Sequence, residues 1–166
     1  SEHRTFKYFK EETLQKYAEQ YGWTLIDDSN RKDMFMDMIR QMDMSYSYKP
    51  VLIKAVMMYA DDNGRIKLED IVHYFRTYYE NRRAAGVKVE KANSIFAKGG
   101  YTDKEAERNI LSNPFKRFED MQMLRHTKTL GIVQVDEAVW KKLSKKEKAE
   151  ITCICDAKLK DYFNRG

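Results

Sequence analysis

Residues 59–70 read YADDNGRIKLED, and the fold turns on whether they form an ion-binding loop or a joint between two helices. An EF-hand loop takes ligands from positions 1, 3, 5, 7, 9 and 12 and needs glycine at position 6. Asp61, Asn63, Gly64 and Asp70 occupy positions 3, 5, 6 and 12. Tyr59 stands where the first carboxylate belongs, and Lys67 puts a cation at the ninth position. Asp70 is shorter than the usual bidentate glutamate. The stretch therefore reads as a helix that stops at Asp61-Asp62-Asn63-Gly64, a tight turn, a short extended segment at Ile66, and a second helix. No metal or other cofactor is expected.

On either side of the joint the hydrophobic periodicity is helical. Residues 48–60, YKPVLIKAVMMYA, are apolar nearly all round, which marks a central buried helix, and Pro50 suits its first turn. Leu68, Ile71, Val72, Phe75 and Tyr78 give the following helix a one-sided stripe. Residues 84–101 lack periodicity and read as a basic loop or lid. Thr102 and Glu105 form a capping box ahead of a helix with Ala106, Ile110 and Leu111 inward. Asn113-Pro114 restarts that helix, with Phe115 and Phe118 facing the core. MQMLRHTKTLGIVQV then holds two short apolar segments around Gly131, the pattern of a β-hairpin. Asp136 caps a short helix through Trp140. Ser144 and Glu147 form a second capping box, opening a last helix with Ile151, Ile154, Cys155, Leu159 and Tyr162 inward. At the other end, Leu14, Tyr17, Ala18 and Tyr21 share one face of a helix over 6–21 that Gly22 ends. Ser29 or Asn30 caps a second helix with the stripe Met34, Phe35, Met38, Ile39 and Met42.

This order predicts a mainly α fold with a small β-hairpin. A winged-helix-like core is joined to an N-terminal helical hairpin over residues 1–44 and a C-terminal helix. The second unit, residues 45–166, carries a basic insert at 82–101. Ile66 supplies the small strand that pairs with the wing.

The chain has 166 residues, 42% hydrophobic and 34% charged, so it is globular rather than disordered. No apolar run approaches a membrane span and no secretory pattern is present, so no membrane partner is expected. Cys153 and Cys155 sit two apart in a helical pattern, which disfavours a disulfide and fits reduced thiols in the cytoplasm. The first residue is serine, as expected of a chain trimmed or cut from a longer one.

The net charge of +5 suggests a polyanionic partner, and its distribution says where. The insert holds Arg82, Arg83, Lys88, Lys91 and Lys98 against one acid, Glu90. The helices after Thr102 offer Lys104, Arg108, Lys116 and Arg117, and the wing offers Arg125 and Lys128. These eleven residues are the candidate nucleic-acid contacts. Acids dilute the helix at 102–121, so the insert is the better phosphate candidate. Neutralising Arg82, Arg83, Lys88 and Lys91 together is expected to flatten the salt dependence of DNA binding with little loss of fold. A second cluster, Lys141, Lys142, Lys145, Lys146 and Lys148, reads equally as a solvated surface. His3, His73 and His126 are scattered, no glycine-rich phosphate loop exists, and no nucleophile set is recognisable, so the chain reads as non-catalytic.

Ser47-Tyr48-Lys49-Pro50, Arg82-Arg83, Glu90-Lys91-x-Asn93-Ser94 and Asn113-Pro114-Phe115-Lys116-Arg117-Phe118 carry a family likeness over roughly residues 10–163. In these pieces the chain resembles the C-terminal region of large bacterial DEAD/DEAH-box helicase-like and restriction-associated proteins. The motor motifs are absent from this chain. The resemblance implies an accessory domain beside a DNA-handling motor or nuclease domain. Two functions stay open: DNA binding or positioning for that larger protein, or protein–protein docking with no nucleic-acid contact.

Overall fold

The computed structural model describes residues 30–165. The helix expected over 6–21, Gly22 and Ser29 lie outside the described residues. The elements are α1 (Arg31–Arg40), α2 (Tyr48–Tyr59), β1 (Arg65–Lys67), α3 (Leu68–Ala84) and α4 (Ile95–Lys98), then α5 (Asp103–Ser112) and α6 (Pro114–Asp120). They are followed by β2 (Leu124–Thr127), β3 (Ile132–Val135), α7 (Glu137–Lys142) and α8 (Lys145–Phe163). The described chain is mainly helical, with one small antiparallel sheet of three strands in the order β1-β3-β2.

Helix α2 is the centre because it has no polar face. Val51, Leu52, Ile53, Ala55 and Val56 are each 0% exposed. It packs against α3, α6 and α8 at once. Helix α1 adds Met34, Phe35, Met38 and Ile39 to the same core, so the methionine stripe is buried. Arg31, at the start of α1, is buried too. Its Nε donates to Asp136 Oδ2 at 3.0 Å and its Nη2 to the Gln122 carbonyl at 2.5 Å.

The 59–70 stretch is the expected joint. The Asp61 carboxylate accepts the backbone N–H of Asn63 at 2.8 Å and of Arg65 at 3.0 Å. These bonds, Arg65's first, hold its carboxyl below the usual range. The oxygen that a calcium loop would aim at an ion is spent on the turn. Gly64 follows at φ +76, a left-handed conformation that suits glycine. The chain then enters β1, where Ile66 pairs with Val133 of the hairpin. Strand β2 completes the sheet through Leu124↔Val135 and His126↔Val133.

Two expectations change. On α3 the fully buried tyrosine is Tyr79, at 0% exposure, while Tyr78 is half-buried. The insert is largely loop, as read, but it is not without regular structure. It contains the short helix α4, capped by Ser94, whose Oγ accepts the Phe96 N–H at 3.2 Å. Phe96 is 0% exposed and packs on Tyr79 with ring centroids 4.7 Å apart. A fully buried phenylalanine contributes roughly 2–3 kcal/mol, which anchors the loop to the core. Periodicity missed this because a single aromatic in a four-residue helix generates no repeat.

Of the two capping boxes, the second is complete. Ser144 Oγ accepts the Glu147 N–H at 3.1 Å, and Glu147 Oε1 accepts the Ser144 N–H at 3.0 Å. At the first, Thr102 Oγ1 accepts the Glu105 N–H at 3.1 Å, while the Glu105 carboxylate takes the threonine hydroxyl instead of a backbone N–H. Glu147 also pairs with Lys32 Nζ at 2.9 Å, which ties α8 to α1. The Ser144 N–H first, and Lys32 second, lower the Glu147 carboxyl to about 2. A depressed folded value means stability that is present above the ordinary value of 4.5 and lost as pH falls through about 2. The melting-temperature gap between wild type and Glu147→Gln is therefore expected to be full at neutral pH and to close across that acid window. A gap that persists unchanged in acid would assign it to something other than the carboxylate.

Candidate nucleic-acid interface

The insert is held to the body by one buried carboxylate. Glu90, 4% exposed, accepts the Ser47 N–H at 2.8 Å and the Ser47 hydroxyl at 2.5 Å on Oε2. Its Oε1 accepts the Tyr162 hydroxyl at 2.5 Å and the Lys91 N–H at 2.8 Å. Because Ser47 donates its proton to Glu90, Tyr79 donates to Ser47 Oγ across 2.6 Å. Burial raises the pKa of both Tyr79 and Tyr162, and Glu90 raises Tyr162 further, so both phenols stay donors. Helix α2 has no acid in its first turn and no side-chain cap. Glu90 reaches across from the insert and puts negative charge at that positive end. Nearby, the Tyr48 hydroxyl meets Ser94 Oγ at 2.5 Å. The lock thus joins the insert, α2, α3 and α8.

Several of the candidate cations serve this architecture. Arg82 Nε donates to the Lys88 carbonyl at 2.7 Å, and its guanidinium lies 3.4 Å over the ring of Phe163. Arg83 donates to the carbonyls of Phe96 at 2.7 Å and Ala97 at 3.2 Å. Lys91 sits 4.8 Å over the Tyr46 ring. Lys104 pairs with Glu107 at 3.7 Å, and Lys116 with Asp120 at 3.1 Å. Neutralising Arg82, Arg83, Lys88 and Lys91 together would strip bonds that shape the insert, so the expectation of little structural cost is revised. Lys88, Lys98, Arg108, Arg125 and Lys128 are exposed and make no ion pair with a described residue.

The candidates do not gather at one place. Arg117 lines a small recess with Lys49 and Asp43. Lys49 is pulled below its ordinary value by burial first and by Arg117 among its neighbours. Arg125 lines a groove of about 550 Å³ with Glu119, Asp120, Asp136 and Glu137. Lys104 lines another of about 710 Å³, between α3 and α5, with Glu69, Glu80, Asp103 and Glu107. Arg82 and Lys88 line a third, of about 470 Å³, that contains no carboxylate. Its remaining cation, Lys160, and its aromatic wall, Phe163, come from α8 and were not among the expected contacts. No local sequence pattern could have found them, since they lie more than 70 positions from Lys88 and only packing brings them there.

The hairpin keeps the charge expected of it. Residues 124–135 contain Arg125, His126 and Lys128 and no acid. Its turn is closed by Leu130 N–H to the Thr127 carbonyl at 3.2 Å and anchored by Leu68 N–H to the Gly131 carbonyl at 2.8 Å. Leu130, at the tip, is 69% exposed. Cys153 and Cys155 are free thiols; burial raises Cys155 to about 12, so it is an inert core group. No helix among the described residues is long and apolar enough to cross a membrane. The chain matches no protein-family model, no curated protein and no solved structure with which it was compared.

Proposed function

We propose that this chain is a non-catalytic DNA-binding or DNA-positioning module with a winged-helix-like core, serving a larger cytoplasmic helicase- or restriction-type protein. The observation that carries the reading is the hairpin: a turn anchored to α3, bearing Arg125 and Lys128 without a single carboxylate between 124 and 135. The element order α2, β1, α3, α5–α6, β2, β3 and the strand order β1-β3-β2 support a winged-helix assignment. In that geometry α5–α6 lies towards the groove of the duplex and the hairpin contacts its backbone. The acids beside Lys104 and Lys116 make this helix pair a positioning element rather than a strong base reader. The likeness of Asn113-Pro114-Phe115-Lys116-Arg117-Phe118 to helicase-associated chains supports the same assignment.

The test is fluorescence anisotropy of a labelled duplex across a salt series. Micromolar or tighter binding that weakens steeply with salt is expected, and Lys128→Gln should reduce the slope of log K against log salt by about 0.9. Absence of binding even at low salt would overturn the DNA reading. The competing reading, a protein-docking module, is favoured by one observation. Met58, 63% exposed, and Tyr59, 40% exposed, stand side by side at the end of α2. That outcome would make this pair the first surface to probe.

A further inference from the structure

We infer that the groove between the insert and the C-terminal end of α8 binds the phosphate backbone of a single-stranded nucleic acid, a strand preference that rests on the proposed nucleic-acid role. The groove, about 470 Å³, takes Tyr78 and Arg82 from α3, Val87 and Lys88 from the insert, and Lys160 and Phe163 from α8. That is the size of a small-ligand site and admits about one nucleotide at a time. Three properties set it apart from the other grooves.

Its lining has three cations and no acid, whereas the two larger grooves each carry four carboxylates. A polyanion is therefore drawn into this groove more strongly than into those two. Its walls are also apolar and aromatic. Tyr78 is half-buried, Phe163 is half-buried with Arg82 over one face of its ring, and Val87 is 47% exposed. An unstacked base needs such a surface, while a duplex keeps its bases inside. Finally, the charge is held in place. Arg82 is fixed by its bond to the Lys88 carbonyl at 2.7 Å and by the Phe163 ring 3.4 Å beneath it. Arg82 and Lys160 lie in the last turns of their helices, where each also offsets a negative helix end. Lys88 lies in no helix and has no such duty. Its exposed ammonium makes no ion pair with a described residue, so it is available to phosphate.

The experiment uses the chain as it stands and a labelled oligothymidylate of about 15 nucleotides, a length within the span of known single-strand sites. Lys88→Gln/Lys160→Gln leaves Arg82 and its bonds untouched. This double variant is expected to bind the strand about tenfold more weakly and to lose about 1.4 from the salt slope, at roughly 0.7 per phosphate contact. Its affinity for duplex should fall clearly less than its affinity for the strand, and thymidine triphosphate should compete only at far higher concentration than the oligomer. Unchanged strand binding, or an equal loss for strand and duplex, would overturn the groove assignment. Competition by the free nucleotide at matched phosphate concentration would overturn it in favour of a mononucleotide site. Wild type that binds the strand but not the duplex would leave this inference standing and sink the duplex reading instead. Wild type that binds neither would sink both.

Discussion

Glu90→Ala is expected to lower the melting temperature by on the order of 10 °C. The substitution leaves four donors facing a void: the N–H groups of Ser47 and Lys91 and the hydroxyls of Ser47 and Tyr162. A buried donor that loses its acceptor costs about 1–3 kcal/mol, and hydroxyls recover part of this by rotating. A total near 4 kcal/mol is reasonable, and for a domain of this size each kcal/mol moves the midpoint by about 2–4 °C. Glu90→Gln should fall between, since its amide nitrogen would confront donors on one side. Tyr162→Phe removes one donor and leaves the carboxylate well served, so its cost should be about 1 kcal/mol. Thermal denaturation of the three variants checks the ranking. Glu90→Ala melting within about 3 °C of wild type would show that the lock contributes little. The same variant should weaken strand binding, because Glu90 holds the loop that places Lys88 beside Lys160. This links stability to function through one side chain.

Gly64→Ala is expected to cost about 3 kcal/mol, although it adds a single methyl group. Part of this is conformational. At φ +76 an L side chain meets its own carbonyl, at about 1–2 kcal/mol. The rest is collision. The added Cβ would lie 2.9 Å from Cγ of Trp140 and 3.2 Å from its Cδ1 and Cδ2. Trp140 cannot easily withdraw. Its Nε1 donates to the Asp61 carbonyl at 3.1 Å, and Lys148 covers its ring at 3.8 Å. The Gly64 carbonyl also accepts the Val135 N–H at 2.8 Å, so a shift of the turn would pull on β3. Gly131→Ala separates the two contributions. It has φ +61 and nothing within 4 Å of the added methyl, so it should show the conformational cost alone, about 1 kcal/mol. Denaturant melts of both variants measure the difference. Equal losses would show that contact with Trp140 has no weight.

The sequence was most informative where local rules act alone. Asp61-Asp62-Asn63-Gly64 announced its turn because an aspartate that bonds its own downstream amides and a glycine free of φ need no distant help. Ser144-x-x-Glu147 is a four-residue device and closed as read. The apolar circumference of 48–60 placed α2 at the centre, since a helix without a polar face has nowhere else to go. The hairpin followed from two short apolar segments around Gly131, and its pairing with Ile66 from the order of the elements, with element ends off by a residue or two.

What escaped was everything that depends on partners far along the chain. The eighteen residues from 84 to 101 looked like a basic loop or lid because their order comes from Phe96 in the core and from Glu90 bound to Ser47 and Tyr162, 43 and 72 positions away. A lone acid in a basic run was visible as a count, yet not as a buried acceptor. The candidate cations suffered the same fate. Sequence identified their charge, and the fold decided which ones turn inward to carbonyls and rings and which remain exposed without an ion pair among the described residues. Local periodicity and turn chemistry therefore determined the elements of this protein by themselves. Tertiary packing alone decided the insert's order and the meeting of Arg82, Lys88 and Lys160 in one acid-free groove, because burial and charge pairing are properties of neighbours in space and not of neighbours in sequence.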